Sequence, residues 1–351
     1  MKTFKAAEGY VKKLGRTHEY DDALWLALSG SGAEFSFYGK KAQIALIGDD
    51  TVGGTNNFAR IGITVNGQRV VDDLMNEARK VYTVFDSYEQ QEVTIGILKL
   101  SEAAMSTVGI QAIAVDAEDG IRPTPGRSRR IEFIGDSITC GYGIDDEDPL
   151  HAFSTATEDV TGTYAYLTAE ALDADYSMVS YSGYGLISGY TENGEKLLTH
   201  LVPDYYAKWA KSEGRPGGTL NPLSVEWDFS RFVPDLIVIN LGTNDDSYAQ
   251  SDLRRQAEFA ERYTAFLQEV RSRSAEAPIL CTLGIMGDRL YPLVEQAVKR
   301  YVEATGDTSV SALRFDVQRD EDGRTSDYHP TRKTHVRAAG KLTERIRAEF
   351  G

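Results

Sequence analysis

Cysteine is scarce in this chain: Cys140 and Cys281 are the only two among 351 residues. Disulfides therefore cannot organise the fold, and a reducing compartment suits the sequence. Positive charge is also short, with 38 Lys and Arg against 53 Asp and Glu and a formal net charge of -15. A surface of that sign repels phosphates and anionic lipid, which excludes nucleic acid as a partner and disfavours a membrane surface. No apolar run is long enough to span a bilayer. The first ten residues, Met1 to Tyr10, lack the apolar core of a secretion signal, so a cytoplasmic location is expected. Internal repeats and low-complexity tracts are missing too.

What is present is ample material for a core: 41% hydrophobic residues and 26% charged, the balance of a globular protein whose length suits two domains. Up to about Asp119 the apolar residues alternate with period two. Strands are expected at 33–38, 43–47, 60–65, 80–85, 92–98 and 109–115, and Asn66-Gly67 supplies the positive φ pair of a tight hairpin. Many short strands with little helix indicate a β-sandwich. The segment Asp119 to Arg130, with two prolines, two glycines and four arginines, breaks the pattern and reads as a solvated connector. Beyond it, buried-strand runs at 130–134, 176–180, 236–240 and 279–283 alternate with helical patterns at 163–172, 252–274, 291–305 and 334–350. That rhythm indicates a parallel sheet with helices on both faces. The expected division is a β-sandwich over 1–122, a linker over 123–130 and an α/β domain over 131–351.

In an open parallel sheet the site lies beyond the C-terminal strand ends. Four segments fall there or just before the last helix: Gly135-Asp136-Ser137-Ile138-Thr139, Ser182-Gly183-Tyr184-Gly185, Gly242-Thr243-Asn244-Asp245 and Asp327-Tyr328-His329-Pro330. Together they supply the parts of a serine esterase. Ser137 is the expected nucleophile and His329 its general base. The N–H groups of Ser137 and Gly183 and the side-chain amide of Asn244 are the expected oxyanion donors. With an ordinary histidine as base, activity is expected to fall at about pH 6–7.

The four blocks in this order resemble the SGNH/GDSL hydrolase superfamily over roughly residues 128–351. The β-rich half, with Ser29-Gly30-Ser31-Gly32-Ala33-Glu34-Phe35-Ser36-Phe37, resembles the N-terminal jelly-roll of carbohydrate esterase family two. The resemblance implies a jelly-roll followed by a three-layer α/β/α domain. It also implies hydrolysis of O-acetyl esters on xylo-, manno- or gluco-oligosaccharides, including the 6-hydroxyl, through an acyl-enzyme. In most of the superfamily an aspartate stands three residues before the histidine. Here Ser326 holds that place and Asp327 stands two before His329. In family two this Asp-x-His pattern lets either the carboxylate or a backbone carbonyl orient the imidazole, so Asp327 completes a triad or a Ser-His dyad operates. The same blocks also fit an esterase for another acyl group, on a lipid, a cell-wall glycan or a small metabolite. A non-catalytic carbohydrate-binding protein is the reading from a different class.

Among the remaining residues, His335 is an alternative base but fits better as a local cap or packing residue at the final helix. No metal is expected, because His329, His335 and Asp327 have no second ligand pair at recognisable spacing, and the chemistry calls for no cofactor. Asp136 is read as a backbone-binding carboxylate, and Asp245 and Asp246 as loop anchors. Of the tyrosines near the blocks, Tyr142, Tyr181, Tyr184, Tyr190 and Tyr328, the expected substrate-lining pair is Tyr184 and Tyr328. Trp25, Trp209 and Trp227 read as core. The insertion 212–218 is the expected source of specificity outside the blocks. The oligomeric state is not legible.

Overall fold

The structure is a computed structural model in which residues 1–52 and 54–350 are described. It divides into two compact units, and neither is a single stretch of chain. One comprises residues 1–127, 154–158 and 208–227; the other comprises 128–153, 159–207 and 228–351.

The first unit is all antiparallel. Its strands are β1 (Lys2–Phe4), β2 (Lys12–Leu14), β3 (Thr17–Tyr20), β4 (Ala23–Leu26), β5 (Gly32–Gly48), β6 (Arg60–Val65), β7 (Gln68–Leu74), β8 (Arg79–Lys99), β9 (Val108–Val115) and β10 (Arg122–Pro123). Two pairs of expected strands are each one long strand, β5 and β8. Their pairing shifts register between Gly39 and Lys41 and between Ala42 and Gln43. Such bulges bend a strand, so one strand serves both layers of a sandwich. The first half of β5 lies in the order β7-β6-β8-β5, and its second half in the order β8-β5-β9-β4-β3. Phe35, Phe37, Ile61, Ile63, Ile95 and Ile97 from one half share a single buried cluster with Leu24, Leu26, Ile44, Leu46, Ile110 and Ile113 from the other. The hairpin at Asn66 (φ 51°) and Gly67 (φ 81°) joins β6 to β7 as the dipeptide requires.

Two segments read differently in the structure. Within the Pro/Arg-rich connector, Arg122 and Pro123 pair with Ser36 and Phe35 of β5, and the Thr124 hydroxyl donates to Glu34. Pro123 is tolerated there because β10 is a short edge strand. The insertion around 212–218 belongs to the sandwich unit. Trp209 is fully buried and donates from Nε1 to the carbonyl of Arg16, while Arg16 donates to the carbonyl of Lys208. The Gly214 backbone packs so closely on the Asp49 carboxylate that an added Cβ would collide with it. This packing gives the insertion a structural role inside that unit.

The second unit carries a five-stranded parallel sheet in the order β12 (Ala174–Ser180), β11 (Arg129–Gly135), β13 (Leu236–Asn240), β14 (Ile279–Ile285) and β15 (Val310–Val317). The edge strand β15 escaped the sequence reading because Arg314 and Asp316 interrupt its apolar run and much of it is exposed. The helices are α1 (Ser137–Cys140), α2 (Tyr164–Ala171), α3 (Pro203–Tyr206), α4 (Thr243–Ala249), α5 (Leu253–Arg273), α6 (Tyr291–Thr305) and α7 (Arg332–Phe350). Apolar residues of α2 and α7, among them Tyr164, Ala165, Leu342 and Ile346, bury against Ile131, Phe133, Met178 and Val238 of the sheet. Among the described residues, no helix is long and apolar enough to cross a membrane.

Candidate active site

The sheet order runs from β11 outward to β12 on one side and to β13 on the other, so the switch point lies at the end of β11. In open parallel sheets the loops part at such a point, which is where a ligand crevice forms. The parallel register sets Gly135 beside Ser180 and beside Asn240, so the first three sequence blocks leave the sheet from one row.

Ser137 is the first residue of α1 and is 4% exposed. The chain turns sharply from β11 into this helix because Asp136 caps it, its carboxylate accepting the N–H of Ile138 at 3.0 Å. The helix itself cannot satisfy the N–H of its first residue. Gly135 precedes the turn where a Cβ would lie 2.1 Å from Thr139 Oγ1, so no larger residue fits.

His329 follows a short helical turn at Ser326–Tyr328 and is 9% exposed. Its Nε2 lies 2.9 Å from Ser137 Oγ. Its Nδ1 faces two carbonyl oxygens, of Ser326 at 3.1 Å and Asp327 at 3.2 Å. Carbonyls only accept, so Nδ1 carries the hydrogen and Nε2 presents a lone pair to the serine hydroxyl. Asp327 meets the imidazole with its backbone; its carboxylate instead accepts from the hydroxyl of Tyr142. Asp327 and Tyr328 both adopt left-handed backbone, φ 49° and 62°, and this turn aims the two carbonyls. Burial pulls His329 down from 6.5 to about 4, against the raising effects of the Ser326 carbonyl and the Asp327 charge. An ordinary histidine titration at pH 6–7 was expected from sequence; loss of solvent lowers it.

Gly183 has φ +81°, and a Cβ there would meet no protein atom within 4 Å. Backbone conformation is therefore its requirement on the protein side. Asn244 is 6% exposed and donates one amide N–H to the carbonyl of Tyr184 at 2.8 Å. That bond fixes the amide's rotation and leaves its second N–H for a ligand oxygen. The next residue ties two blocks together: the fully buried Asp245 carboxylate accepts N–H groups of Leu186 at 2.8 Å, Ile187 at 2.7 Å and Ser188 at 3.2 Å. Burial raises Asp245 to about 6, opposed by those N–H groups, and raises Asp136 to about 7, where the Asp245 charge adds to the rise.

The two expected lining tyrosines differ. Tyr328 is 56% exposed. Tyr184 is 2% exposed and packs on Tyr181, His200 and Tyr205; what it brings to the site is its carbonyl, because the turn at Gly183 folds its ring inward. His335 is buried on α7, and its Nδ1 accepts the N–H of Tyr164 at the start of α2 at 3.1 Å, a packing contact with a distant element and not a cap of its own helix. Sequence reasoning gave no role to Tyr142, whose ring stacks on His329 with centroids 3.9 Å apart and planes 15° apart. Its signal was position: it sits five residues after the serine, between Gly141 and Gly143.

These features meet known proteins. Residues 133–340 match the GDSL-like Lipase/Acylhydrolase family, and the chain belongs to it. Residues 13–125 match the Carbohydrate esterase 2 N-terminal domain. The chain is similar to the cellulase/esterase CelE of Acetivibrio thermocellus, 31% identical over 332 residues, which are 93% of this chain. It spans only 38% of that relative's length. An acetylxylan esterase / glucomannan deacetylase of Cellvibrio japonicus is 27% identical, covering 98% of this chain and 90% of its own. Among solved structures, a family two carbohydrate esterase from Clostridium thermocellum in complex with cellohexaose superposes with a TM-score of 0.81 at 28% identity, over 97% of this chain and 99% of the other.

Proposed function

We propose that this protein is a serine esterase that removes O-acetyl groups from plant-type oligosaccharides of the xylo-, manno- or gluco- series. The observation that carries the reading is the hydrogen-bond line from two backbone carbonyls through His329 to Ser137 Oγ at 2.9 Å. The Nδ1–H bonds hold the tautomer in which Nε2 accepts the serine proton. Ser137 Oγ then bonds to the acyl carbon while its proton passes to His329. As the tetrahedral species collapses, the bond to the sugar oxygen breaks and His329 returns the proton to that oxygen. Water then bonds to the acyl carbon as His329 takes its proton; the bond to Ser137 Oγ breaks, acetate leaves and His329 returns the proton to that oxygen.

The oxyanion is held by the N–H groups of Ser137 and Gly183 and the second amide N–H of Asn244. Dyad chemistry is favoured over a triad, because the Asp327 carboxylate is engaged by Tyr142 while its carbonyl faces the imidazole. Tyr328, exposed beside His329, offers the aromatic face on which a sugar ring stacks. The carbohydrate class is supported by the relatives: one is named a glucomannan deacetylase, and one was crystallised with cellohexaose.

The test is acetate release from acetylated xylo-, manno- and gluco-oligosaccharides by the parent protein and by Ser137→Ala. Release by the parent alone is expected. Preference for acyl chains longer than acetyl would overturn the acetyl assignment, and an active Ser137→Ala protein would overturn the nucleophile.

A further inference from the structure

We propose that Tyr142 is a positioning residue for the reaction, acting on the base from two directions: its ring covers one face of His329, and its hydroxyl pins the turn whose carbonyls orient the imidazole. The inference rests on the reading of Ser137 and His329 as nucleophile and base.

Three observations carry it. The Tyr142 and His329 rings are stacked, 3.9 Å between centroids and 15° between planes; Phe153 packs on Tyr142 in turn, centroids 5.0 Å apart. The Tyr142 hydroxyl donates to the Asp327 carboxylate, and Asp327 is the residue whose carbonyl lies 3.2 Å from Nδ1. The stretch that follows Tyr142 also clasps this turn. The carbonyl of His151 accepts the Asp327 N–H at 3.1 Å, that of Asp146 accepts the Ser326 N–H at 2.9 Å, and the Ser326 hydroxyl donates to the carbonyl of His151 at 2.8 Å. Gly143, at φ +58°, lies where a Cβ would come within 2.6 Å of Ser326 Cβ.

Two successive non-glycine residues in left-handed backbone are costly and persist only where neighbours hold them. With no carboxylate on Nδ1, the turn itself is the orienting group, so whatever fixes the turn fixes the base. The Tyr142–Asp327 bond therefore gives the aspartate side chain a purpose that a triad role does not explain. The ring excludes water from the imidazole on the stacked side. The charged and titratable groups that bear on His329 are Asp327 beside it and His335 on α7.

The experiment compares Tyr142→Phe, Tyr142→Leu, Asp327→Ala, the double variant Tyr142→Phe/Asp327→Ala and Ser137→Ala, with kcat and KM measured from pH 4 to 8. Tyr142→Phe keeps the ring and loses the bond; kcat is expected to fall about 10-fold, the scale of one hydrogen bond to a charged group, with KM unchanged. Asp327→Ala should fall similarly, and the double variant no further than the worse single, since both remove one link. Tyr142→Leu should in addition move the acid limb upward by about one pH unit as water reaches the imidazole; Tyr142→Phe should leave the limb in place. Multiplying losses in the double variant, or an unmoved limb in Tyr142→Leu, would overturn the proposal. An active Ser137→Ala protein would instead overturn the site reading beneath it, so the two failures are distinct.

Discussion

Lowering the pH is the sharpest perturbation of the base, and it acts beside the buried carboxylates Asp136 and Asp245, which titrate at about 7 and about 6. The base works only while Nε2 is unprotonated, so activity is lost as pH falls through the folded-state value of His329. Burial sets that value at about 4, where an exposed histidine would stand at 6.5. The difference corresponds to about 3 kcal/mol against placing a proton on the buried ring. At pH 5 a base titrating at 6.5 would retain only about 3% of its unprotonated form, whereas one titrating near 4 would retain about 90%. The assay is kcat/KM for a neutral acetylated sugar between pH 3.5 and 8, with acetate release followed at constant ionic strength. Tryptophan fluorescence at each pH separates titration from unfolding. A plateau extending to about pH 5 is expected. An inflection near 6.5 in a still-folded protein, assigned to the imidazole by an NMR titration of His329 and not to Asp136 or Asp245, would refute the argument, since it would mean the imidazole is solvated in the working enzyme.

The same burial acts on stability. His329 and His335, pulled to about 4 and about 3, bind fewer protons folded than unfolded. Their neutral burial is without cost above the unfolded value of about 6.5, and their contribution to stability falls as pH drops below it, while Asp136 and Asp245, raised to about 7 and about 6, take up protons on folding and contribute the opposite trend over the same range. Urea titrations of the parent and of His335→Gln at pH 7 and pH 5 isolate the histidine part; the same change of midpoint in both would contradict it. Asn244→Ala removes the proposed uncharged oxyanion donor and should lower kcat by about 10²–10³ with little change in KM; a loss confined to KM would assign Asn244 to substrate binding alone.

Much of this was legible because different physical signals pointed the same way. Period-two alternation and Asn66-Gly67 marked the sandwich, and apolar runs ending in polar blocks marked the parallel sheet with its row of Gly135, Ser180 and Asn240. The failures share a cause: contacts made at long range leave no local pattern. The strands at 33–38 and 43–47 read as two because Gly39, Lys40 and Lys41 interrupt the hydrophobic alternation, yet a bulge carries the strand through them. Strand β15 hid its role behind exposed charges. The insertion at 212–218 reads as a specificity loop because it is a long insertion between strands, while its packing on Asp49 involves a partner about 165 residues away in sequence, too distant for any window to detect. The site's orienting group was the hardest to see. Side chains are written in the sequence and backbone carbonyls are not, so the sequence leaves open whether the Asp327 carboxylate or a backbone carbonyl orients the imidazole. The imidazole is held instead by a turn, and a turn of two left-handed residues, Asp327 and Tyr328, has no signature except the tyrosine and the loop that hold it closed. For a dyad of this kind the informative residues are the ones that shape the backbone around the base, and here they lie in the stretch directly after the nucleophile.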